Sequence, residues 1–249
     1  MFAQSLFYLR EYLFPSGCGG CGKALLSARD AYYGLCGDCR AFLNTALAGQ
    51  RRCEICGRPL VSEKHSCLSC RKAEASAKEA ADKEGCGSCL AKMRALFPYT
   101  GTFRAILGAY KFGKSLGVAH FLAERLSLSV EDFGLETKAV WVPVPPRPGK
   151  IKKQGWDQIE FLAGLMERGY KRNAVYRCLK RLPSRSQKEL NREQRGSNLK
   201  GRIISTRQPP KTAILFDDVI TTGATMNACA QALLECGTEK VYGVCLFYD

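Results

Sequence analysis

No part of the sequence approaches the run of about eighteen uninterrupted apolar residues that a membrane-spanning helix requires, because charge, Gly or Pro cuts every apolar stretch. Features of a secretory leader are lacking in the opening MFAQSLFYLREYLFP, which carries Arg10 and Glu11 inside its apolar stretch and is followed by no small-residue cleavage site. Acidic residues nearly vanish from one long segment. From Arg168 to Arg207 there are thirteen Lys or Arg against two acids, Glu189 and Glu193. The first two absences argue against a membrane or secreted protein and predict a soluble, cytoplasmic chain. The third predicts an anionic partner, either the phosphates of a small ligand or those of a nucleic acid. A solvated helical face would explain an average basic run, but not one this dense.

What is abundant is cysteine. Ten of the 14 cysteines form five CxxC pairs, and without an export signal that pattern reads as metal rather than disulfide. Cys18/Cys21 and Cys36/Cys39 are separated by fourteen residues, close to the spacing at which two knuckles fold around one tetrahedral zinc. Cys53/Cys56 and Cys67/Cys70 predict a second zinc. A fifth pair, Cys86/Cys89, follows the Ala/Lys/Glu-rich RKAEASAKEAADKEG. Three pairs cannot share one tetrahedral site. Cys86 and Cys89 could replace Cys67 and Cys70, bind metal weakly or pair with another chain; the shorter-range partnership of Cys53/Cys56 with Cys67/Cys70 is preferred. His65 beside a complete thiolate set is read as a bystander. A thioredoxin-type redox role is disfavoured because such a motif stands alone at a helix start. Structural zinc contributes roughly 10–16 kcal/mol, support that a small region poor in large apolar side chains needs. Zinc ribbons also touch nucleic acid, and the sequence leaves that role open. These features place a Cys-rich double zinc-ribbon module at residues 1–92 and an α/β domain at 93–249.

In the second part, LFPY and AVWVPVP read as strands, and residues 102–128 and 158–169 show helical spacing. Ala213–Phe216 is an apolar strand and Asp217–Thr222 a turn. Residues 224–236 form a helix with Met226, Cys229, Leu233 and Leu234 on one face, closed by a left-handed Gly237. Lys240–Tyr248 returns as a strand. The unit is βαβ, the building block of a parallel sheet flanked by helices. Its turn lies at the carboxyl end of a strand and offers backbone N–H groups and threonine hydroxyls at a helix N-terminus, a geometry that holds phosphate. Asp217 and Asp218 would repel a phosphate but suit the vicinal hydroxyls of a ribose, with Mg²⁺ on the ligand offsetting their charge. Direct metal binding by the Asp-Asp pair is the alternative.

ILFDDVITTGAT resembles the phosphoribosyl-pyrophosphate loop of type I phosphoribosyltransferases. With YLFPSGCGGCG, the cysteine knuckles, LGAYKFGKS, VPVPPRPGKIKKQGWDQ and SQKELNREQRGSNLKG in the same order, the chain resembles the ComF (GntX-like) competence family almost end to end. Trp156-Asp157 stands where that family tends to have Phe-Asn. The resemblance implies a type I phosphoribosyltransferase-like fold and phosphoribosyl pyrophosphate with Mg²⁺ as ligand. Within Asp217, Asp218, Val219, Ile220, Thr221, Thr222, Gly223, Ala224 and Thr225, the two acids would hold the ribose hydroxyls and Thr221–Thr225 the 5′-phosphate. It further implies that Arg147, Lys150, Lys152 and Lys153 meet the pyrophosphate, and that Gln187, Arg195 and Asn198 belong to a segment closing over the site. The reaction would be displacement of pyrophosphate by an unnamed acceptor. The family's link with natural transformation adds DNA-uptake machinery and single-stranded DNA as partners. It also supplies the rival reading, a non-catalytic ligand sensor or DNA-binding scaffold.

Overall fold

The computed structural model describes residues 16–48, 51–55, 57, 60, 63–68, 70–72, 89–113, 115–134, 140–169, 174–183 and 201–249. Its strands are β1 (Lys92–Pro98), β2 (Val140–Pro143), β3 (Leu179–Arg181), β4 (Ile203–Ser205), β5 (Thr212–Ile220) and β6 (Lys240–Tyr248). Four of them form a parallel sheet in the order β1-β6-β5-β2, while β3 and β4 pair antiparallel. The helices are α1 (Ala28–Tyr33), α2 (Gly37–Ala48), α3 (Gly101–Lys111), α4 (Leu116–Leu128), α5 (Lys150–Gln154), α6 (Gln158–Gly169) and α7 (Ala224–Glu235).

Parallel strands covered on both faces must be apolar on both, and the buried AILF of β5 meets that demand. Because side chains alternate, Ile214 and Phe216 join Trp141, Val244 and Leu246 against α3, α4 and α6. Ala213 and Leu215 face the other way with Val142, Val241 and Cys245, against Met226, Cys229, Ala230 and Leu233 of α7. The helical spacing over 102–128 resolves into two helices, α3 and α4, separated at Phe112–Ser115. β5 runs further than its apolar core: pairing with β6 continues through Val219↔Phe247 and Ile220↔Tyr248, so Asp217 and Asp218 stand in a strand rather than in a turn. Gly237 takes φ 99, the expected left-handed stop after α7.

The cysteine knuckles are built into this body. Cys18, Leu25, Leu35, Cys39 and Leu43 share one hydrophobic cluster with Ile106, Leu107 and Tyr110 of α3 and Val118 of α4. Ser27 caps α1 by accepting from the Asp30 N–H at 3.1 Å, a contact worth about 1 kcal/mol. Gly34, which closes α1, meets Gly117 of α4 so tightly that a Cβ at Gly117 would lie 2.4 Å from the Gly34 nitrogen. The second knuckle lies against the edge strand β1. There the Arg52 guanidinium donates to the carbonyls of Ala95 and Leu96, and a Cβ at Gly57 would fall 2.2 Å from the Met93 oxygen. A sheet edge is thereby covered.

Candidate functional site

In the first knuckle the sulfurs of Cys18, Cys21, Cys36 and Cys39 all lie within 4.8 Å of one another, with Cys21 and Cys36 Sγ 3.7 Å apart. A tetrahedron of thiolates about 2.3 Å from zinc has edges of about 3.8 Å, so the group fits the ion. The N–H groups of Cys36 and Gly20 donate to Cys18 Sγ at 3.3 and 3.4 Å. Burial pushes the Cys18 thiol up, but backbone donors outweigh it and bring the group down to about 7, favouring the thiolate that a metal needs. Cys53, Cys67 and Cys70 gather within 4.8 Å in the same way, and the Cys67 N–H donates to Cys53 Sγ at 3.3 Å. Cys56 and Cys86 lie outside the described residues; Cys89 is partly buried against the α7 side of the sheet. Outside the knuckle sulfurs, His65 pairs with Glu54, Nδ1 to Oε1 at 3.0 Å.

The other chemistry lies at the carboxyl ends of β2 and β5, where open α/β sheets bind ligands. A cavity of about 840 Å³ opens there. One wall is the loop Val144–Gly149 with Lys150 and Lys153 of α5; another is Asp217, Asp218, Val219, Thr221 and Thr225; Lys111, Asp157 and Arg181 complete it. Arg147 and Lys153 reach the wall and are exposed, whereas Lys152 points away on the exposed side of α5. Of the DDVITTGAT residues, Ile220 packs against the α7 cluster and Thr222 accepts from the Ala224 N–H at 3.4 Å, turning the chain into α7. Gln187, Arg195 and Asn198 lie outside the described residues.

Charge divides the cavity. Lys111, the last residue of α3, places its Nζ 2.7 Å from Asp218 Oδ2. Lys150 Nζ lies 2.6 Å from Asp157 Oδ2 and 2.6 Å from Gln158 Oε1, so its ammonium is already engaged. Asp157, buried, also caps α6 by accepting from the Ile159 and Glu160 N–H groups at 2.9 and 3.0 Å. Asp217 has no cation of its own among the described residues. Among the described residues its Oδ1 accepts only from the Asp218 N–H, at 2.8 Å. Burial first, then the Asp218 charge, push its carboxyl up to about 7. Arg147 of the β2 loop, Lys153 of α5 and Arg181 of β3 line the same cavity and have no ion pair among the described residues. The site therefore joins two acids of β5 to cations from three other elements.

Three of these residues escape a reading of local motifs. Lys111 and Asp157 sit inside LGAYKFGKS and WDQ, but their roles depend on contacts with Asp218 and Lys150. Arg181 is one of thirteen basic residues in its run and is distinguished only by where β3 carries it.

Residues 9–71 match the double zinc ribbon domain family. Over nearly its whole length the chain is 28% identical, across 221 residues, to the competence protein ComFC of Streptococcus pneumoniae, covering 88% of this chain and 90% of that protein. It is 25% identical over 206 residues to ComFC of Bacillus subtilis, covering 82% of this chain and 79% of the relative. The chain is similar to the ComF competence proteins over most of its length. A third relative, competence protein F of Haemophilus influenzae, is 26% identical over 171 residues, covering 63% of this chain and 75% of that one. The matched zinc ribbon and the two sulfur clusters support structural zinc in this chain. Among its described residues no helix is long and apolar enough to cross a membrane.

Proposed function

We propose that the cavity binds phosphoribosyl pyrophosphate with Mg²⁺ and that the protein acts in competence, in the uptake of DNA. The observation carrying this reading is the division of charge in one cavity. Asp217 and Asp218 form an acidic end suited to vicinal hydroxyls, next to the Thr221–Thr225 turn at the α7 N-terminus and facing a cationic end at Arg147, Lys153 and Arg181. No simple anion needs the acids, and no neutral sugar needs the arginines. A ribose carrying a 5′-phosphate and a pyrophosphate needs both.

Asp217 and Asp218 would orient the ribose through its hydroxyls, and the threonine turn would seat the 5′-phosphate. The cationic end would neutralise a departing pyrophosphate as positive charge develops on the anomeric carbon. Mg²⁺, when bound with the ligand, would offset the charge of the two acids and of the phosphates. Tyr110 donates to the Gln158 carbonyl and stacks edge-on against Trp156 at 5.4 Å, which fixes the start of α6 and with it Asp157. The competence proteins named above support the biological setting.

The test is titration of the zinc-loaded protein with phosphoribosyl pyrophosphate and Mg²⁺, repeated with Asp217→Ala plus Asp218→Ala. Binding that the double variant leaves untouched would sink the site. Pyrophosphate release followed with a panel of nucleophiles separates an enzyme from a sensor: tight binding with no release from any acceptor favours the sensor. A second reading, single-stranded DNA binding, draws on the exposed Lys152 and Lys153 that follow exposed Ile151 on α5, and on Phe112, 84% exposed beside Lys111. It calls for an affinity that falls steeply with salt and drops when Lys152 and Lys153 are neutralised.

A further inference from the structure

We propose that Cys21 is a site of oxidative modification, at which a peroxide joins it to Cys36 as a disulfide and so strips the first knuckle of its zinc. The four sulfurs of that knuckle are unequally protected. Cys18 and Cys39 are buried, Cys36 is half-buried and Cys21 is exposed. Cys18 Sγ also holds the Gly20 and Cys36 N–H groups at 3.4 and 3.3 Å, donors that draw charge from the sulfur and blunt it as a nucleophile. Among the described residues no N–H donates to Cys21 Sγ, and its neighbour is Cys36 Sγ at 3.7 Å. Reaction with an electrophile requires thiolate character and access, and within this set Cys21 combines them. The second knuckle is better shielded. Cys53 and Cys67 are buried, Cys70 is half-buried, and the Cys67 N–H donates to Cys53 Sγ at 3.3 Å.

Cys21 lies in the turn of the first CxxC and Cys36 immediately before α2, so neither sulfur is carried inside a helix or strand. Closing their 3.7 Å separation to a bond takes a movement of about 1.7 Å shared between two loops. In the first step the Cys21 thiolate attacks hydrogen peroxide: an S–O bond forms, the O–O bond breaks and hydroxide leaves, giving a sulfenic acid. In the second the Cys36 thiolate attacks that sulfur, the S–S bond forms, the S–O bond breaks and a second hydroxide leaves. Two protons from solvent turn both hydroxides into water, so the two thiolates supply the two electrons that the peroxide takes up. The disulfide joins the two CxxC pairs instead of closing either one, and each pair loses a ligand. Cys18 and Cys39 remain, two sulfurs where a structural zinc takes four ligands. The change also reaches the α/β body. Cys36 and Trp156 both pack on the cluster that contains Tyr110, and Tyr110 meets Trp156 edge-on at 5.4 Å.

The experiment uses the full-length, zinc-loaded chain carrying Cys236→Ser, which removes the other exposed cysteine of the described residues. Hydrogen peroxide is added while a colorimetric chelator follows zinc, and mass spectrometry of unreduced peptides maps the disulfides. One ion per chain should leave about tenfold faster than the other, in step with the Cys21–Cys36 cross-link and with a change in tryptophan emission. Dithiothreitol with added zinc should reverse all three. Release of both ions at one rate, a first cross-link at any other pair of cysteines, or zinc lost while Cys21 is still a thiol overturns the inference. Retention of both ions under peroxide that oxidises free glutathione completely overturns it as well. Cys21 driven to a sulfinic acid with Cys36 still a thiol overturns the pairing, and emission that stays constant as the cross-link forms overturns the connection to Trp156.

Discussion

Replacing Asp217 with Asn should make the ligand-free protein more stable at neutral pH while weakening its ligand. The carboxyl of Asp217 rises from 3.8 to about 7, first because burial disfavours the ionised form and then because Asp218 adds a like charge. For an acid whose pKa is higher in the folded state, stability is fully present below the unfolded value and is lost as the pH rises through the folded one. Asp217 therefore opposes folding increasingly between about pH 4 and pH 7. At about 1.4 kcal/mol per pH unit the full effect is of order 4 kcal/mol, and the open, partly solvated cavity lowers it to about 2. Asn keeps the oxygen that accepts from the Asp218 N–H and removes the charge. Urea unfolding followed by tryptophan fluorescence suits the measurement, because both tryptophans, Trp141 in β2 and Trp156 before α6, lie within the α/β body. Asp217→Asn should be the more stable protein at pH 8, by an advantage that shrinks by about 1–2 kcal/mol at pH 5.5. Binding of phosphoribosyl pyrophosphate with Mg²⁺ to the wild type should tighten over pH 6 to 8 as Asp217 ionises, a trend that the variant lacks. A variant no more stable than wild type at pH 8, or an advantage that does not change with pH, would refute the reasoning.

Lys111→Gln removes the cation that lies 2.7 Å from Asp218 and that favours ionisation of Asp217, so the pH dependence of ligand binding should move to higher pH; an unmoved profile would show that the ion pair does not reach the site. Gly117→Ala would push a methyl group to 2.4 Å from the Gly34 nitrogen and 2.7 Å from its Cα, both backbone atoms, and should destabilise by about 2–4 kcal/mol in thermal melting. Elemental analysis should find two zinc ions per chain. Cys21→Ser and Cys67→Ser should each lose one ion and keep the other, whereas loss of both from either variant would contradict two separate sulfur clusters.

The sequence made legible what is contiguous. The strand, turn and helix around ILFDDVITTGAT are local, as are the knuckles, where glycines and paired cysteines fall within a few residues of one another. Asp217–Thr222 reads as a turn in the sequence, yet parallel pairing with β6 carries the strand to Ile220. Propensity gave way to tertiary pairing there. Lys111, Asp157 and Arg181 belong to a different category, since each acquires its role from a partner far along the chain or from the cavity itself. Lys111 meets a residue more than a hundred positions away. Lys150 shows the converse. Within a basic loop it reads as one more phosphate ligand, and the 2.6 Å contact with Asp157 adds a partner that the loop's composition does not announce. That contact also gives a reason for Trp156-Asp157 in place of Phe-Asn: a carboxylate here both caps α6 and binds the lysine, where an amide would cap without neutralising it.

The zinc module and the cavity are mechanically continuous. Cys18 and Cys39 are buried in the cluster that also contains Ile106, Leu107 and Tyr110 of α3. α3 ends one residue after Tyr110, at Lys111, which lies against Asp218 at the ligand end of β5. α4 is held to α1 of the same knuckle by the Gly34–Gly117 approach, and the Ser115 N–H donates to the Ala109 carbonyl at 3.1 Å, tying the start of α4 back to α3. A helix is stiff over one turn, so the position of the Lys111 ammonium is set by the neighbouring Ile106, Leu107 and Tyr110, which share a packed cluster with the cysteines. Losing the ion from the first knuckle should therefore disturb Asp218 before it melts the sheet, whose strands are held by their own pairing. The second knuckle, clasped to β1 at the edge away from β2, has no such path to the cavity among the described residues, so its zinc should matter for stability and not for the ligand.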